Sequence, residues 1–243
     1  MFVAFIYYVD NSGNIQQLQQ IYTTTDRQWA SLDEIPQDLI DAAVAIEDKR
    51  FYEHQGVDWI TTIKACAGMF MGTSDAGGST ITQQLIKNLT DEKSVTVQRK
   101  VMEIFRAQFF ERRYDKDLIM EYYLNEIYLG RGCYGVKSAA AEYFGKELQN
   151  LTVAECASLI SITNNPSLYG PMYDVTYTRD DGTTVTPREL HKQRQLNILK
   201  KMSEVGMNGK AEDGTPPYLT QDEYAAAKEE PLLFTDGTTE ADE

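Results

Sequence analysis

The chain has 243 residues, of which 42% are hydrophobic, 25% charged and 11% aromatic. This balance is typical of a folded globular protein and excludes a disordered or collagen-like polymer. The 23 lysines and arginines face 37 aspartates and glutamates, which gives a net charge of −14 at pH 7. A surface this acidic repels nucleic acid, so no nucleic-acid partner is expected, and an anionic ligand needs a local basic pocket.

The rare residue types exclude several kinds of site and segment. Cys66, Cys133 and Cys156 are too few, and odd in number, for a disulfide framework, and no cysteine or histidine cluster has zinc-binding spacing, so no metal site is predicted. No run approaches the roughly 20 apolar residues that span a bilayer. The apolar start of the chain lacks the basic flank and cleavage site of a signal peptide and is predicted to be a strand.

The first predicted element is a hairpin of Phe2–Val9 and residues 15–22, and a second small hairpin is predicted within 173–185. We assign residues 1–29 to this N-terminal hairpin and a linker. The main domain is assigned to 30–230. The last stretch, 231–243, is rich in aspartate and glutamate and is expected to be a solvated acidic tail.

Apolar stripes, capping residues and glycine stops predict the helices. The first helix starts at Pro36 and ends at or near Glu47, and the third is capped by Ser79 and has an apolar stripe that ends at Leu89. The other predicted helices cover 59–71, 97–113, 116–129, 136–144, 153–163, 187–205 and 221–230. The predicted fold class is therefore mainly α with minor β hairpins.

Glu47 opens the first chemically interesting run, Glu-Asp-Lys-Arg-Phe-Tyr-Glu-His at 47–54. A carboxylate at a helix end beside an apolar wall can have a raised pKa and act as a general base. The plainer interpretation is a solvated acid–base run that ends the helix, and the run taken alone favours it.

Two further runs carry polar groups at helical spacing. Residues 80, 83, 84 and 87 place a hydroxyl, two amides and an amine on one face near a helix N-terminus, which suits a sugar and a phosphate. An ordinary polar surface is an equally good interpretation. Arg99 and Glu103 stand at i and i+4 and can form either a surface salt bridge or a carboxylate held beside cations in a cleft.

Four motifs occur in the order and at the spacing of one family: Glu-Asp-x-x-Phe-x-x-His at 47–54, Gly-Gly-Ser-Thr-Ile-Thr-Gln-Gln at 77–84, Arg-Lys-x-x-Glu at 99–103 and Tyr-Leu-Asn-x-x-Tyr-x-Gly at 123–130. With a fifth region at 139–155, they resemble the peptidoglycan glycosyltransferase domain, glycosyltransferase family 51, of class A penicillin-binding proteins and monofunctional transglycosylases. The resemblance covers about residues 30–205. It implies a lysozyme-like fold whose two lobes flank a cleft.

The resemblance also implies a role for each matching residue. Glu47 matches the catalytic base, and Glu103 matches a second carboxylate near the donor phosphates. The residues at substrate-binding positions are Ser79, Thr80, Gln83, Gln84, Lys87, Arg99, Lys100 and, as a weaker match, Arg194. Those with a scaffolding or architectural match are Asp48, Phe51, His54, Asn125 and Tyr128.

The activity that the resemblance implies is polymerisation of lipid II into β-1,4-linked glycan. The growing chain, an α-linked polyprenyl pyrophosphate, is the donor, and the acceptor 4-hydroxyl attacks with inversion. Such a displacement needs a base for the nucleophile and cations for the pyrophosphate. No cofactor is required, although Mg²⁺ or Mn²⁺ would suit the pyrophosphate. The implied partners are lipid II, the glycan chain, other cell-wall synthesis proteins and the outer face of the bacterial cytoplasmic membrane, and moenomycin-type antibiotics mimic the donor.

The chain departs from the family pattern in two places. Val95 stands where a basic residue is common, and Asn-Asn-Pro at 164–166 replaces the more usual Gln-Ala-Pro. Neither the family's membrane anchor nor a penicillin-reactive Ser-x-x-Lys domain is found, so we expect a shortened form or natural fragment of a larger membrane protein. Two other functions stay open: a lysozyme-like lytic enzyme, against which the basic residues at 87–100 argue, and a non-catalytic lipid II-binding module.

Residues 58–78 are predicted to face the membrane and to end in a mobile loop at 73–78. The apolar helix in this stretch is too short to cross ~30 Å of hydrocarbon, but it can lie in the interface with Lys64 reaching the headgroups. The alternative is a buried core helix, and Phe70→Ser with Met71→Ser is expected to separate the two. The apolar residues concerned are Trp59, Ile60, Ile63, Ala67, Met69, Phe70 and Met71.

Overall fold

The computed structural model describes residues 2–9, 15–23, 28–71, 77–90, 96–206 and 216–237. β1 (Phe2–Val9) and β2 (Ile15–Thr23) pair antiparallel, with a register shift between Ile6 and Tyr7. β3 (Tyr177–Thr178) and β4 (Thr184–Val185) form a second, shorter antiparallel pair. Both predicted hairpins are therefore confirmed as strand pairs, although the first turn, at 10–14, lies outside the described residues.

Helices make up most of the described chain. They are α1 (Gln37–Glu47), α2 (Trp59–Met71), α3 (Ile81–Thr90), α4 (Val97–Glu111), α5 (Lys116–Glu126), α6 (Val136–Phe144), α7 (Val153–Ser161), α8 (Pro166–Tyr169), α9 (Pro187–Glu204) and α10 (Gln221–Glu229), with short 3-10 helices at Leu32–Glu34 and Leu148–Asn150. The mainly α fold class is confirmed. None of these helices is long and apolar enough to span a membrane.

The core is centred on α7, whose residues are buried on nearly every side. A helix that is buried on nearly every side must be surrounded by other elements, and here α1 and α9 pack against it, with α6 and α10 beside them. A second group forms where α3 packs against α4 and α5. Because α5 also contacts α6, it joins the two groups.

The start of α3 differs from the prediction. Thr80, not Ser79, is the capping residue: its hydroxyl accepts from the Gln83 backbone N–H at 3.2 Å, and the Gln83 side chain accepts from the Thr80 N–H at 2.9 Å. This reciprocal pair is a capping box. Leu89 is 47% exposed, whereas Ile86 is buried, so the apolar stripe of α3 turns away from the predicted line.

The end of α5 also differs. The helix stops at Glu126 because Ile127 has extended backbone angles, φ −65° and ψ 137°. The chain then forms a β-bridge between Tyr128 and Tyr134, and Gly130 has a positive φ of 81°. The apolar residues at 127–129 that suggested helix are instead an extended segment, with Ile127 and Leu129 buried.

The first part of the predicted acidic tail is not solvated. Leu232 and Phe234 are buried, and the Phe234 ring stacks on Phe144 with centroids 5.4 Å apart. The Thr235 N–H donates to the Tyr143 carbonyl at 3.0 Å. Residues 231–237 therefore pack against the core through two apolar side chains. Residues 238–243 lie outside the described residues.

Candidate active site

A cleft of about 770 Å³ lies between the two helix groups. Its walls come from the end of α1, from α3, α4 and α5, from residues 163–166, and from α9. The charged residues that line it are Glu47, Lys87, Arg99, Lys100, Glu103 and Arg194. Four cations against two carboxylates make this a basic site in a protein of net charge −14, which is the local pocket that an anionic ligand needs.

Glu47 is the last residue of α1 and receives three hydrogen bonds. Gln84 Nε2 donates to its Oε2 at 3.0 Å, and Arg194 Nη2 donates to its Oε1 at 3.1 Å. Thr163 Oγ1 also lies 3.1 Å from Oε1 and shares its single proton between Oε1 and the Ile160 carbonyl, which is 2.9 Å away. A negative charge at a helix C-terminus is unfavourable with respect to the helix dipole, so these donors provide the compensation. The side chain is 15% exposed and remains open to the cleft.

Arg194 is held on two sides. Its Nε donates to the Ser161 carbonyl at 3.0 Å, and its guanidinium carbon lies 5.3 Å from the centroid of the Tyr169 ring. The structure thus places this weakest of the sequence matches directly on Glu47. A direct contact with substrate stays a prediction for Arg194.

Glu103 is a buried residue of the cleft wall that α4 provides, and it is paired by cations from its own helix. Arg99 Nη1 donates to its Oε2 at 2.6 Å, and Lys100 Nζ donates to its Oε1. Lys100 Nζ also donates to Ser79 Oγ at 2.7 Å, which ties α4 to the segment before α3. This is the arrangement of a carboxylate beside cations in a cleft, not of a surface salt bridge.

Lys87 differs from these cations. It lines the cleft and is exposed, and no residue that the structure describes forms an ion pair or hydrogen bond with it. The buried Arg99 Nε likewise has no hydrogen-bond partner in the described part of the chain. Lys87 is therefore a donor with capacity left for a ligand, whereas the Arg99 Nε is buried away from the cleft surface.

The second motif splits between the cleft and the core. Ser79, Gln83, Gln84 and Lys87 line the cleft, whereas Thr80 does not. The Thr80 hydroxyl donates to the Gly56 carbonyl at 2.7 Å and is buried. Its predicted contact with the donor sugar stays a prediction, since in this structure the hydroxyl serves the fold.

The residues with a scaffolding or architectural match also divide between the core and the cleft. Asp48 accepts from the Ile81 N–H at 3.0 Å and from His54 Nε2 at 2.9 Å, and so connects the first motif to the start of α3. Phe51 is fully buried.

Asn125 and Tyr128 lie in different environments. Asn125 Oδ1 accepts from the Ala30 N–H, and its Nδ2 donates back to the Ala30 carbonyl, both at 2.8 Å. Tyr128 is 43% exposed and lines the cleft, so it can face a ligand, and it also pairs with Tyr134 in the β-bridge, which agrees with its architectural match.

Among the cleft residues that the sequence analysis did not assign a role, Thr163 and Tyr123 stand out. Thr163 holds Glu47 but lies 116 positions from it, next to the Asn-Asn-Pro segment that departs from the family pattern. Tyr123 opens the fourth motif and lies on the cleft wall. Burial, together with the nearby charge of Glu47, raises the pKa of the Tyr123 hydroxyl well above its usual value. The departure at 164–166 was the only sequence signal for the first of them.

A divalent cation at the pyrophosphate stays a hypothesis. The described residues contain no group of three or more histidines, cysteines, aspartates or glutamates that could hold a metal. Both oxygens of Glu103 are already paired with Arg99 and Lys100. The donors that the cleft offers are therefore cationic side chains, which would bind phosphate oxygens directly.

Comparison with known proteins agrees with this geometry. The family model described as transglycosylase matches residues 13–203. The chain belongs to the transglycosylase family. The predicted identity as a peptidoglycan transglycosylase domain, and hence as a glycosyltransferase, is confirmed at this level.

Individual relatives of this transglycosylase domain differ in length. Penicillin-binding protein 1A of Aquifex aeolicus is 39% identical over 85% of this chain, which spans 25% of that protein. A transglycosylase, by its name, from Cupriavidus necator is 37% identical over 84% of this chain. The matched region covers 78% of that relative. The solved structure of penicillin-binding protein 1A from Haemophilus influenzae aligns with 90% of this chain and 19% of that chain, with a TM-score of 0.47 and 22% identity.

Proposed function

We propose that this transglycosylase domain polymerises lipid II by inverting transfer of the growing glycan chain from polyprenyl pyrophosphate to an acceptor sugar. The observation that supports this most directly is the cleft itself. It presents a partly exposed carboxylate, Glu47, together with the cluster of Lys87, Arg99 and Lys100. A base and a pyrophosphate site are the two groups that this displacement needs.

Glu47 is proposed as the general base. A carboxylate has about four lone-pair sites, two on each oxygen. Thr163 and Arg194 use both sites of Oε1, and Gln84 uses one site of Oε2. The remaining site on Oε2 is free to accept the proton of the acceptor 4-hydroxyl.

The bond changes follow from this assignment. As the proton passes to Glu47, the acceptor oxygen forms a bond to C1 of the donor sugar. The bond from C1 to the pyrophosphate oxygen breaks on the opposite face, and its electron pair leaves with the pyrophosphate. Attack opposite the leaving group converts an α-linked donor into a β-1,4 product, as in inverting glycosidases with a hydroxyl in place of water.

The cations are proposed to stabilise the leaving pyrophosphate. Lys87 has no acidic partner among the described residues, and Arg99 and Lys100 line the cleft beside it. Charge-assisted contacts to phosphate oxygens are stronger than neutral ones, and they gain strength as negative charge develops. Glu103 holds Arg99 and Lys100 in place and is proposed as the positioning carboxylate of this group.

The polyprenyl tail of the substrate places the reaction at a membrane surface, and we propose the outer face of the bacterial cytoplasmic membrane. On α2, Trp59, Ile60 and Ile63 are 50%, 54% and 65% exposed. An exposed apolar face on a short helix suits interfacial binding, with the tail of lipid II remaining in the bilayer.

The two alternatives are supported less well. Hydrolysis of a neutral glycan needs no pyrophosphate site, and a binding module needs no partly exposed base. The deciding experiment incubates the purified chain with lipid II in detergent or liposomes and separates the products on a gel. A ladder of glycan polymer is expected. Release of soluble sugars from purified cell wall would favour a lytic enzyme, and tight lipid II binding without polymer would favour a binding module.

A further inference from the structure

His191 is a fully buried residue of α9 that no motif singled out, and it lies one helical turn before Arg194. Its Nδ1 is 2.8 Å from the Tyr169 carbonyl oxygen and 2.9 Å from Ser161 Oγ. Its Nε2 is 2.8 Å from Ser158 Oγ. Both ring nitrogens are therefore engaged, and they join α7 and α8 to α9.

The partners assign one tautomer to the ring. A carbonyl oxygen only accepts, so Nδ1 must carry the proton that is donated to Tyr169. The Ser161 hydroxyl donates to the Ser158 carbonyl at 2.7 Å, so its oxygen is also an acceptor for Nδ1–H. Burial lowers the pKa of His191 to about 4, so the ring is neutral at pH 7 and Nε2 accepts from the Ser158 hydroxyl.

Arg194 uses the same two residues as His191. Its Nε donates to the Ser161 carbonyl at 3.0 Å, and its guanidinium lies over the Tyr169 ring at 5.3 Å. His191 holds the Ser161 side chain and the Tyr169 backbone from one turn away. Each of the two residues that contact the arginine, Ser161 through its carbonyl and Tyr169 through its ring, is thus held at its other polar group by the histidine.

We infer that His191 is a positioning residue, which sets the orientation of Arg194 through Ser161 and Tyr169 and thereby holds the Glu47 carboxylate in place. The effect of His191 on the rate of polymerisation rests on the proposed function. The effect of His191 on the orientation of the Arg194 side chain does not, so the positioning role and the proposed function can be refuted separately.

Three variants separate positioning from packing. His191→Asn keeps an amide N–H near the place of Nδ1 and so can still donate to Tyr169. His191→Gln places its amide near the position of Nε2 and keeps only the Ser158 contact. Ser158→Ala is the matched control because it removes the Nε2 partner and leaves the contacts on the Arg194 side intact.

The expected results differ between the variants. His191→Gln lowers kcat for lipid II polymerisation between about 10-fold and 100-fold, as expected for a small misplacement of a reacting group, while KM changes little. His191→Asn restores kcat to within a few-fold of wild type. Ser158→Ala lowers Tm but leaves kcat unchanged. In the Arg194→Ala background, His191→Gln causes no further loss of kcat, because residues that act through one another are not additive.

The second readout does not depend on catalysis. In the full chain labelled with ¹⁵N-arginine, the Nε–H signal of Arg194, assigned by its loss in Arg194→Lys, is expected to exchange slowly in wild type, Ser158→Ala and His191→Asn, and rapidly in His191→Gln. Unchanged exchange in His191→Gln overturns the inference, as does an equal kcat loss in His191→Gln and Ser158→Ala. Absence of polymer from the wild-type chain would refute the proposed function alone, and the exchange experiment would still decide the role of His191.

Discussion

Glu47 and Glu103 line the same cleft, but their partners come from very different distances along the chain. Glu103 is paired by Arg99 and Lys100, four and three positions away on α4. The donors to Glu47 are Gln84, Thr163 and Arg194, which are 37, 116 and 147 positions away. The Glu103 pairing therefore forms wherever α4 is helical, whereas the Glu47 environment requires the packing of α1, α3, α7 and α9.

The two carboxylates also differ in the kind of group that meets them. Glu103 faces two full cations and is buried. Glu47 is met by an amide, a hydroxyl and one guanidinium, and it keeps contact with the open cleft. One end of the cleft is thus suited to holding charge and the other to accepting a proton. The predictions that follow test this division of roles.

The largest effect is expected from Glu47→Gln. The amide keeps the shape and the hydrogen bond from Thr163 but cannot take up a proton, so polymerisation of lipid II should fall by at least the 10²–10⁴-fold that general bases typically contribute. Product gels measure the rate, and Tm should stay close to that of wild type. Glu103→Gln is the comparison: it should be severe but leave residual activity, since Arg99 and Lys100 remain. A Glu47→Gln variant with near wild-type turnover would show that Glu47 is not the base.

The basic end of the cleft is tested by Lys87→Ala and Arg99→Ala. Each removes a charge-assisted contact worth roughly 1.5–3 kcal/mol, so affinity for a pyrophosphate-bearing ligand of the moenomycin type should drop between about 10-fold and 150-fold. Calorimetry measures the change.

Lys200→Ala is the control for net charge, because Lys200 is 60% exposed and does not line the cleft. Unchanged affinity in both cleft variants, or an equal loss in Lys200→Ala, would place the pyrophosphate elsewhere.

The same contrast explains what the sequence could predict. Local rules explain the capping boxes at Thr152, Thr186 and Thr220, since in each a glutamate follows the threonine by three positions. They also predicted the bounds of α6, since Gly135 and Gly145 both have positive φ values. Arg99 and Glu103 could be paired from their spacing alone. These features depend on neighbours within one helical turn.

Long-range contacts gave no such signal. Apart from the neighbouring departure at 164–166, nothing near Thr163 in the sequence indicates that its hydroxyl reaches Glu47, and Arg194 was matched only weakly. Likewise, Leu232 and Phe234 stand among acidic residues, and the local composition concealed their burial. The positions of such residues are set by tertiary packing, which overrides local composition and propensity.

A third prediction asks which end of the cleft meets the membrane. Thr62 of α2 donates to the Gly78 carbonyl at 3.2 Å, directly before Ser79 and its Lys100 contact, so α2 adjoins the Glu103 end. The pyrophosphate and its lipid tail should then enter from this side. Ile60→Ser with Ile63→Ser should weaken liposome binding about 10-fold, because two apolar side chains leave the interface.

The controls for the membrane prediction use exposure. Ile60 and Ile63 are 54% and 65% exposed, so Tm should change little, and Leu233→Ser, at a 62% exposed apolar residue of another segment, should leave liposome binding unchanged. A large fall in Tm with unaltered lipid binding would show that α2 is a core helix. The double variant Phe70→Ser with Met71→Ser changes two side chains that lie outside the described residues, so Ile60 and Ile63 are used instead.

The smallest effect contrasts Glu47 with Asp41, a carboxylate six positions earlier on α1 whose hydrogen-bond donor is Gln37, at 2.8 Å. Burial raises the pKa of Asp41 to about 6, with Asp38 adding to the rise. Since the folded state holds this proton more tightly than the unfolded chain, the group destabilises the fold increasingly as pH rises from about 4 to above 6. After allowance for solvent screening of a partly exposed side chain, Asp41→Asn should raise the free energy of unfolding by about 1 kcal/mol at pH 7 and by much less at pH 3.5. Urea unfolding at the two pH values measures the difference, and an equal gain at both would show that the charge of Asp41 is not the cause.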